Sequence, residues 1–272
     1  GEWPSHPEML DWLATEFMGT GWDVKKFVRM LVTSATYRQD SSVTPKLVAL
    51  DPENRLLARG PRHRLDAEVL RDNALVVGGL LNLTMGGRGV RPYQPPGIWE
   101  AVGYTSSNTA KYSQDKGEAL YRRSLYLFWK RTAPPPSMTT FDAPSREQCS
   151  ARRERTDTPL QALVLMNDPQ YFEAARHLGY RMLRQGGGTD TERLRYGFRL
   201  VAARAPMETE NAVLNETLEL QRARFSADAE AARKAIAVGD SPVPTDVSPA
   251  ELAAYTMVAN VLLNLDEVVT KN

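Results

Sequence analysis

TPLQALVLMNDPQYFEAARHLGYRM (Thr158–Met182) decides how this chain folds. Thr158-Pro159 joins a helix N-cap to a proline in the first helical position, where the missing N–H costs nothing. Leu160, Leu163 and Val164 then recur at helical spacing. Asp168-Pro169 repeats the start signal, and Phe172, Ala175, Leu178 and Met182 recur at the period of an amphipathic helix. Downstream, Gly186-Gly187-Gly188 is a break and Thr189 or Asp190 caps the next helix, through Leu194, Phe198 and Val201 to Pro206. Further helices are expected over 208–224, 226–238 and 249–264. The middle one, rich in alanine and charge, reads as the most exposed, and 239–249 reads as a flexible linker.

The chain before this stretch is helical again at its beginning. Ser5-His6-Pro7-Glu8 reads as a capping box, with Met9, Leu10, Leu13 and Phe17 at helical spacing and Gly19-Thr20-Gly21 as the stop. Asp23 opens a second helix whose Val24, Phe27, Val28, Leu31, Val32 and Ala35 form an apolar stripe. Pro45, Pro52 and Pro61 punctuate residues 40–65, with a short helical turn expected over 52–59. Asp66 caps a third helix that turns Val69, Leu70, Ala74, Leu75 and Val77 inward.

Residues 83–157 change character. Met85-Gly86-Gly87-Arg88-Gly89-Val90-Arg91-Pro92-Tyr93-Gln94-Pro95-Pro96-Gly97 can form neither a regular helix nor a central strand. An irregular stretch this long inside a domain leans towards function. Tyr121 to Arg131, aromatic and turn-bounded, reads as one strand, and Pro134-Pro135-Pro136 ends it. The expected fold is therefore mainly α: a multi-helix bundle with a long irregular insert containing one or two short strands. Its subregions are 1–82, 83–157 and 158–272. The helices within 5–39 and 65–82 are expected to pack with the later bundle, 158–265.

Composition narrows the chemistry. The 272 residues hold 34 Lys+Arg against 33 Asp+Glu, a formal net charge of +1. That balance hides an asymmetry: residues 1–206 carry +7 and residues 207–272 carry −6. Arginine dominates the basic part, and its planar fork suits bidentate carboxylate pairing and stacking on aromatics. Structural Arg–carboxylate networks are one reading of it, an anion- or sugar-binding surface the other. Nucleic-acid binding would want a stronger excess and a reading element. One cysteine and three histidines exclude intrachain disulfides, thiolate zinc sites, Cys-x-x-Cys-His haem attachment and an extensive histidine metal cluster. No run approaches the ~18 apolar residues that a membrane span needs. The start lacks an initiator Met and a targeting segment, so the chain reads as a piece of something longer.

Candidate site residues lie mostly in the irregular region. Asp142, Arg146 and Arg153, beside the helix starts at 158 and 168, could form an anion site or a buried network holding loop to bundle. Tyr93, Trp99 and Trp129 could stack on a sugar ring beside arginines such as Arg91 and Arg123. Arg38, Arg64 and Asp66 complete the set. Cys149 would need a base close by, and neither His63 nor His177 is placed there by the sequence. The Met85–Gly89 loop lacks the Lys-Ser/Thr of a P-loop and the spacing of a dinucleotide fingerprint.

Many short motifs occur together in order. They include Ser5-His6-Pro7-Glu8 with Leu10-Asp11-Trp12-Leu13-Ala14, Ser34-Ala35-Thr36-Tyr37-Arg38-Gln39 and Arg64-Leu65-Asp66-Ala67-Glu68. Val90 through Glu100, Arg123-Ser124-Leu125-Tyr126, Phe141-Asp142-Ala143-Pro144-Ser145-Arg146, Thr158-Pro159-Leu160-Gln161, Asn167-Asp168-Pro169 and Asn264-Leu265-Asp266-Glu267 come after them. Together they resemble the DUF1553 (PSD1) family, found in planctomycetes and related bacteria, across nearly all the chain. The resemblance implies an arginine-rich domain of unknown function in a large exported polypeptide, so a periplasmic or extracellular location. It implies as partners a sister DUF1549-type domain and a cytochrome c domain of the same polypeptide, with any c-type haem carried there and no cofactor in this chain. No catalytic residue carries over. The leading expectation is a non-catalytic binding or assembly module that binds no nucleic acid and does not span a membrane. The rival is an enzyme domain acting on a polysaccharide or other anionic, oxygen-rich substrate through 83–157. A scaffold interface would show as an exposed apolar patch on the first two helices.

Overall fold

Helices that open on proline form the centre of the protein. In chain order the computed structural model, described over residues 3–271, has α1 (Pro7–Gly19), α2 (Val24–Thr33), α3 (Pro45–Leu50), α4 (Ala67–Gly78), α5 (Ile98–Val102) and α6 (Pro136–Thr139). Then come α7 (Pro159–Asn167), α8 (Pro169–Gln185), α9 (Asp190–Ala202), α10 (Glu208–Ala227), α11 (Ala229–Ile236), α12 (Pro249–Leu263) and α13 (Asp266–Val269). Two strands, β1 (His63–Arg64) and β2 (Thr270–Lys271), make one small sheet. The chain divides into two compact units, residues 3–63 with 270–271, and residues 64–269.

In the larger unit α12 is the central element. Leu252, Ala253, Ala254, Tyr255, Val258, Ala259, Leu262 and Leu263 are all buried, on every side of the helix. A helix apolar all round belongs inside, and α8, α9, α10 and α11 surround this one. Its closest approach is to α8. A Cβ on Gly179 would lie 2.9 Å from the backbone of Tyr255 and Thr256, so only glycine lets the two helices meet there. Ala174, Ala175, Leu178 and Met182 of α8 are fully buried, Ala174 against Gly78 of α4 and Met182 against Gly197 of α9. The start signals work as the sequence indicates. Thr158 and Gln161 form a capping box, Asp168 accepts from the Gln170 N–H at 2.9 Å, and Thr189 caps α9 with Glu192.

The smaller unit is built differently. Asp23 caps α2, accepting from the Lys26 N–H at 3.0 Å. The turn between α1 and α2, with Gly21 and Trp22 at positive φ, stacks Phe17 on Trp22 and Phe27 with ring centroids 5.1 and 4.8 Å apart. Yet α1, α2 and α3 bury no residue. The apolar stripe expected to turn inward leaves Val24, Val28 and Val32 exposed.

Several expectations are corrected. The segment 121–131 is not a strand. It holds 3-10 turns at Gly117–Tyr121 and Ser124–Tyr126, with isolated bridges from Arg122 to Asn82 and from Leu127 to Val90. The Leu120 and Arg122 carbonyls accept from the Arg71 guanidinium at 2.7 Å instead of from a neighbouring strand. The helical turn expected at 52–59 is replaced by α3, which uses Thr44-Pro45 as its start. Residues 51–59 form a polar loop in which Asp51 accepts from the Arg55 and Leu56 N–H groups. His6, not Ser5, is the N-cap of α1. Asp66 makes no cap hydrogen bond, and Val69 points outward. Helix α11 is anchored by buried Ala232 and Ile236, and α1 and α2 are far more exposed than it is.

Candidate functional site

The strongest polar convergence lies on α8, in residues the sequence reading passed over. Glu173 is fully buried, and five hydrogen bonds converge on its carboxylate. Oε2 accepts from the Tyr93 hydroxyl at 2.7 Å. Oε1 accepts from the Tyr121 hydroxyl at 3.0 Å, from the Ser241 N–H and hydroxyl at 2.8 and 2.6 Å, and from Arg176 one turn on at 3.4 Å. Arg176, also buried, donates to the Ser241 and Pro242 carbonyls. Burial pushes the Arg176 guanidinium below its ordinary value, and burial followed by the Glu173 contact pushes the Tyr93 and Tyr121 hydroxyls up. The segment 239–249, expected to be a flexible linker, is thus pinned to α8 over residues 239–246. A Cβ on Gly239 would lie 2.4 Å from the Glu173 carboxyl, and Tyr180 donates to Asp246 at 3.0 Å.

Ser241 Oγ also lies 2.7 Å from His177 Nε2. Serine, histidine and glutamate meet here, but not in a nucleophile's order. The carboxylate of a triad orients the imidazole, whereas Glu173 accepts directly from the serine. Burial, then the Arg176 charge, lowers His177 to about 4, so the ring is neutral near pH 7. The cluster holds loops to α8 and presents no activated oxygen. A carboxylate and arginine at i and i+3 beside the apolar stripe of α8 were the available signal.

The eleven sequence candidates fall into separate groups. Asp66 and Arg153 lie in one network at the start of α4: Arg153 donates both arms to Glu68, at 2.6 and 3.0 Å, and lies 3.7 Å from Asp66. The Glu68 hydrogen bonds raise the Arg153 pKa, and Arg64 pairs with Asp157. Asp142, at φ 58°, accepts from the Thr156 N–H at 2.7 Å and hydroxyl at 2.9 Å, and Gln161 donates to that same hydroxyl at 3.0 Å. Arg146 stacks over Trp129 at 4.6 Å, while the Trp129 indole donates to the Ser145 carbonyl.

Trp99 is buried in an aromatic box of its own. Arg91 lies 5.4 Å from its ring and 4.9 Å from Phe128, Lys130 lies 4.8 Å from it, and Tyr112 meets it edge-on at 5.0 Å. Tyr93 belongs to Glu173. Arg123 reaches Met85, at 3.9 Å to the sulfur, and Arg38 is exposed in the smaller unit. No common pocket gathers Asp142, Arg146, Arg153, Tyr93 and Trp99 among the described residues. The Met85–Gly89 loop turns its carbonyls, not its N–H groups, to a cation: Arg122 donates to Thr84, Gly86 and Arg88. Cys149 is exposed.

A further buried cation, Arg71, ties α4 to the insert. It donates to Gln170 Oε1 at 2.5 Å, to the Leu120 and Arg122 carbonyls at 2.7 Å and to Ser124 Oγ at 3.2 Å. Burial lowers its pKa to about 10. Among the described residues no group of three or more His, Cys, Asp or Glu is placed to hold a metal ion, and no helix is long and apolar enough to cross a membrane.

A concave apolar surface lies in the smaller unit. A groove of about 520 Å³ is lined by Met9, Trp12 and Leu13 of α1 and by Val28, Leu31 and Val32 of α2, with Arg59 and Lys271 as the charged lining residues among those described. Arg59 donates to the Asp51 and Pro52 carbonyls at 3.0 and 2.7 Å, and Lys271 sits 4.2 Å from the Tyr37 ring.

These features define a mainly helical domain whose buried charges fasten loops to helices. The chain belongs to the family described as PSD1, protein of unknown function (DUF1553), whose model matches residues 1–218. The match ends inside α10, so the resemblance read at 264–267 lies past it. No curated protein and no solved structure matches the chain.

Proposed function

We propose that the chain is a non-catalytic binding or assembly module of an exported, cytochrome-linked multidomain protein of planctomycete type. The observation that carries this reading is the smaller unit: α1, α2 and α3 bury no residue, while Met9, Trp12, Val28 and Val32, which line one groove, are all 40% exposed or more. Contiguous apolar surface of this kind marks contact with another macromolecule. The polar clusters support the same reading, because their groups are spent on one another. On this reading the partners are the DUF1549-type and cytochrome c domains of the parent polypeptide, which works in the periplasm or outside the cell and carries any haem on the cytochrome part.

The second reading, an enzyme or glycan-binding domain, draws on the half-buried Trp129 under Arg146. An assay of the chain against neutral, sulfated and uronic-acid polysaccharides separates the two. The module reading expects no turnover. Turnover that is lost in Asp142→Ala or Arg146→Ala, with the circular dichroism spectrum unchanged, overturns it.

A further inference from the structure

We infer that the α1–α2 surface is the interface of a two-fold homodimer in which α1 of each copy lies on α2 of the other. This rests on the assembly reading of the same surface and names its partner as a second copy of this chain. The argument is one of charge. Helix α1 carries Glu8, Asp11 and Glu16 and no base, whereas α2 carries Lys25, Lys26 and Arg29 and no acid. None of the six is ion-paired among the described residues. The groove that the two helices line holds apolar side chains open to water, Met9 at 44% exposure and Trp12 at 55% on the acidic helix, Val28 at 48% and Val32 at 40% on the basic one.

A surface with one acidic and one basic border complements itself. A two-fold axis running along the groove brings the acidic helix of each copy onto the basic helix of the other, so the favourable contact is made twice. An axis across the groove would instead set carboxylates against carboxylates and cations against cations. Charge therefore selects one symmetric arrangement, isologous as two-fold contacts are. In it the apolar side chains of both grooves are covered together.

Light scattering coupled to size exclusion, on the whole chain over a range of concentrations, tests this. The expected mass is twice the 30.4 kDa of the chain, falling towards the monomer as salt screens the contact. Asp11→Lys/Glu16→Lys makes both borders basic and Lys26→Glu/Arg29→Glu makes both acidic. Each variant alone is expected to run as a monomer where the wild type is dimeric, and an equimolar mixture is expected to recover the dimer mass. Misfolded variants would not rescue one another, so the mixture separates lost contact from lost fold. A wild type that stays monomeric, or variants that dimerise alone, overturn the dimer. If the chain is monomeric while α1 and α2 amides are protected from exchange within the parent polypeptide, the dimer fails and the assembly reading stands.

Discussion

Replacing Glu173 by glutamine keeps the shape of the side chain and removes its charge. The native carboxylate takes five hydrogen bonds, and the amide must set its NH2 against one set of donors. Turned towards Tyr93, it leaves the Tyr93 hydroxyl proton without an acceptor, because that oxygen already accepts from the Asp240 N–H at 2.6 Å. Turned the other way, it faces Tyr121, Ser241 and Arg176 together. Either way Arg176, only 1% exposed, stays buried beside a neutral group. Removing one member of a buried ion pair costs about 3–5 kcal/mol, most of it from the orphaned partner. At roughly 2–4 °C per kcal/mol for a domain near this size, the melting temperature should fall by about 10 °C. Urea denaturation gives the free energy, and hydrogen exchange gives the location. Protection should be lost first at the Asp240 and Ser241 amides, which donate to Tyr93 and Glu173. Adding Arg176→Met should recover part of the loss, since the stranded charge is then gone. A Glu173→Gln cost below about 1 kcal/mol, with exchange over 239–247 unchanged, would refute the view that this carboxylate pins the segment to α8.

Arg71→Met should strand Gln170 Oε1 and the Leu120 and Arg122 carbonyls, at about 1–3 kcal/mol each. Removing a buried cation already depressed to about 10 offsets on the order of 3 kcal/mol of that. Urea denaturation should therefore show a net loss of about 3 kcal/mol, with exchange opening at the Asn82 amide, which donates to Tyr121; a neutral effect would count against Arg71 as the tie between α4 and the insert. His177 supplies a pH dependence. Its folded value of about 4 lies below the 6.5 of the unfolded chain, so the unfolded state takes up the proton first as pH falls. Stability should be unaffected by this group above pH 6.5 and decline from there to about 4, by an amount on the order of 3 kcal/mol. His177→Gln should flatten that part of the profile, and an unchanged slope would show that another group titrates.

The helical start signals could be read because each is local. Thr158, Asp168 and Thr189 lie within a turn of the N–H groups they cap or help to cap, and Pro159 and Pro169 occupy positions where their missing N–H is harmless. The period of α8 likewise needed no knowledge of neighbours. The insert misled for the opposite reason. Tyr121–Arg131 has the composition of a strand, but extended backbone becomes a strand only when a neighbour supplies a ladder, and here Arg71, some fifty residues away in the chain, takes the Arg122 carbonyl and the segment pairs only in isolated bridges with Asn82 and Val90.

The candidate site divided in the same way. Arg153, Asp142 and Trp129 stood out by type, and their partners Glu68, Thr156 and Arg146 emerged only in three dimensions. Glu173 and Arg176 did not stand out at all, because a charge beside an apolar stripe reads as solvated surface until the 239–247 segment folds over it. By itself the sequence determined the helical class, most of the helix starts and the family, all of which rest on contacts within a turn or on motif order. Only the tertiary structure decided which charges are buried and which apolar faces are left open, because burial depends on what the rest of the chain brings alongside.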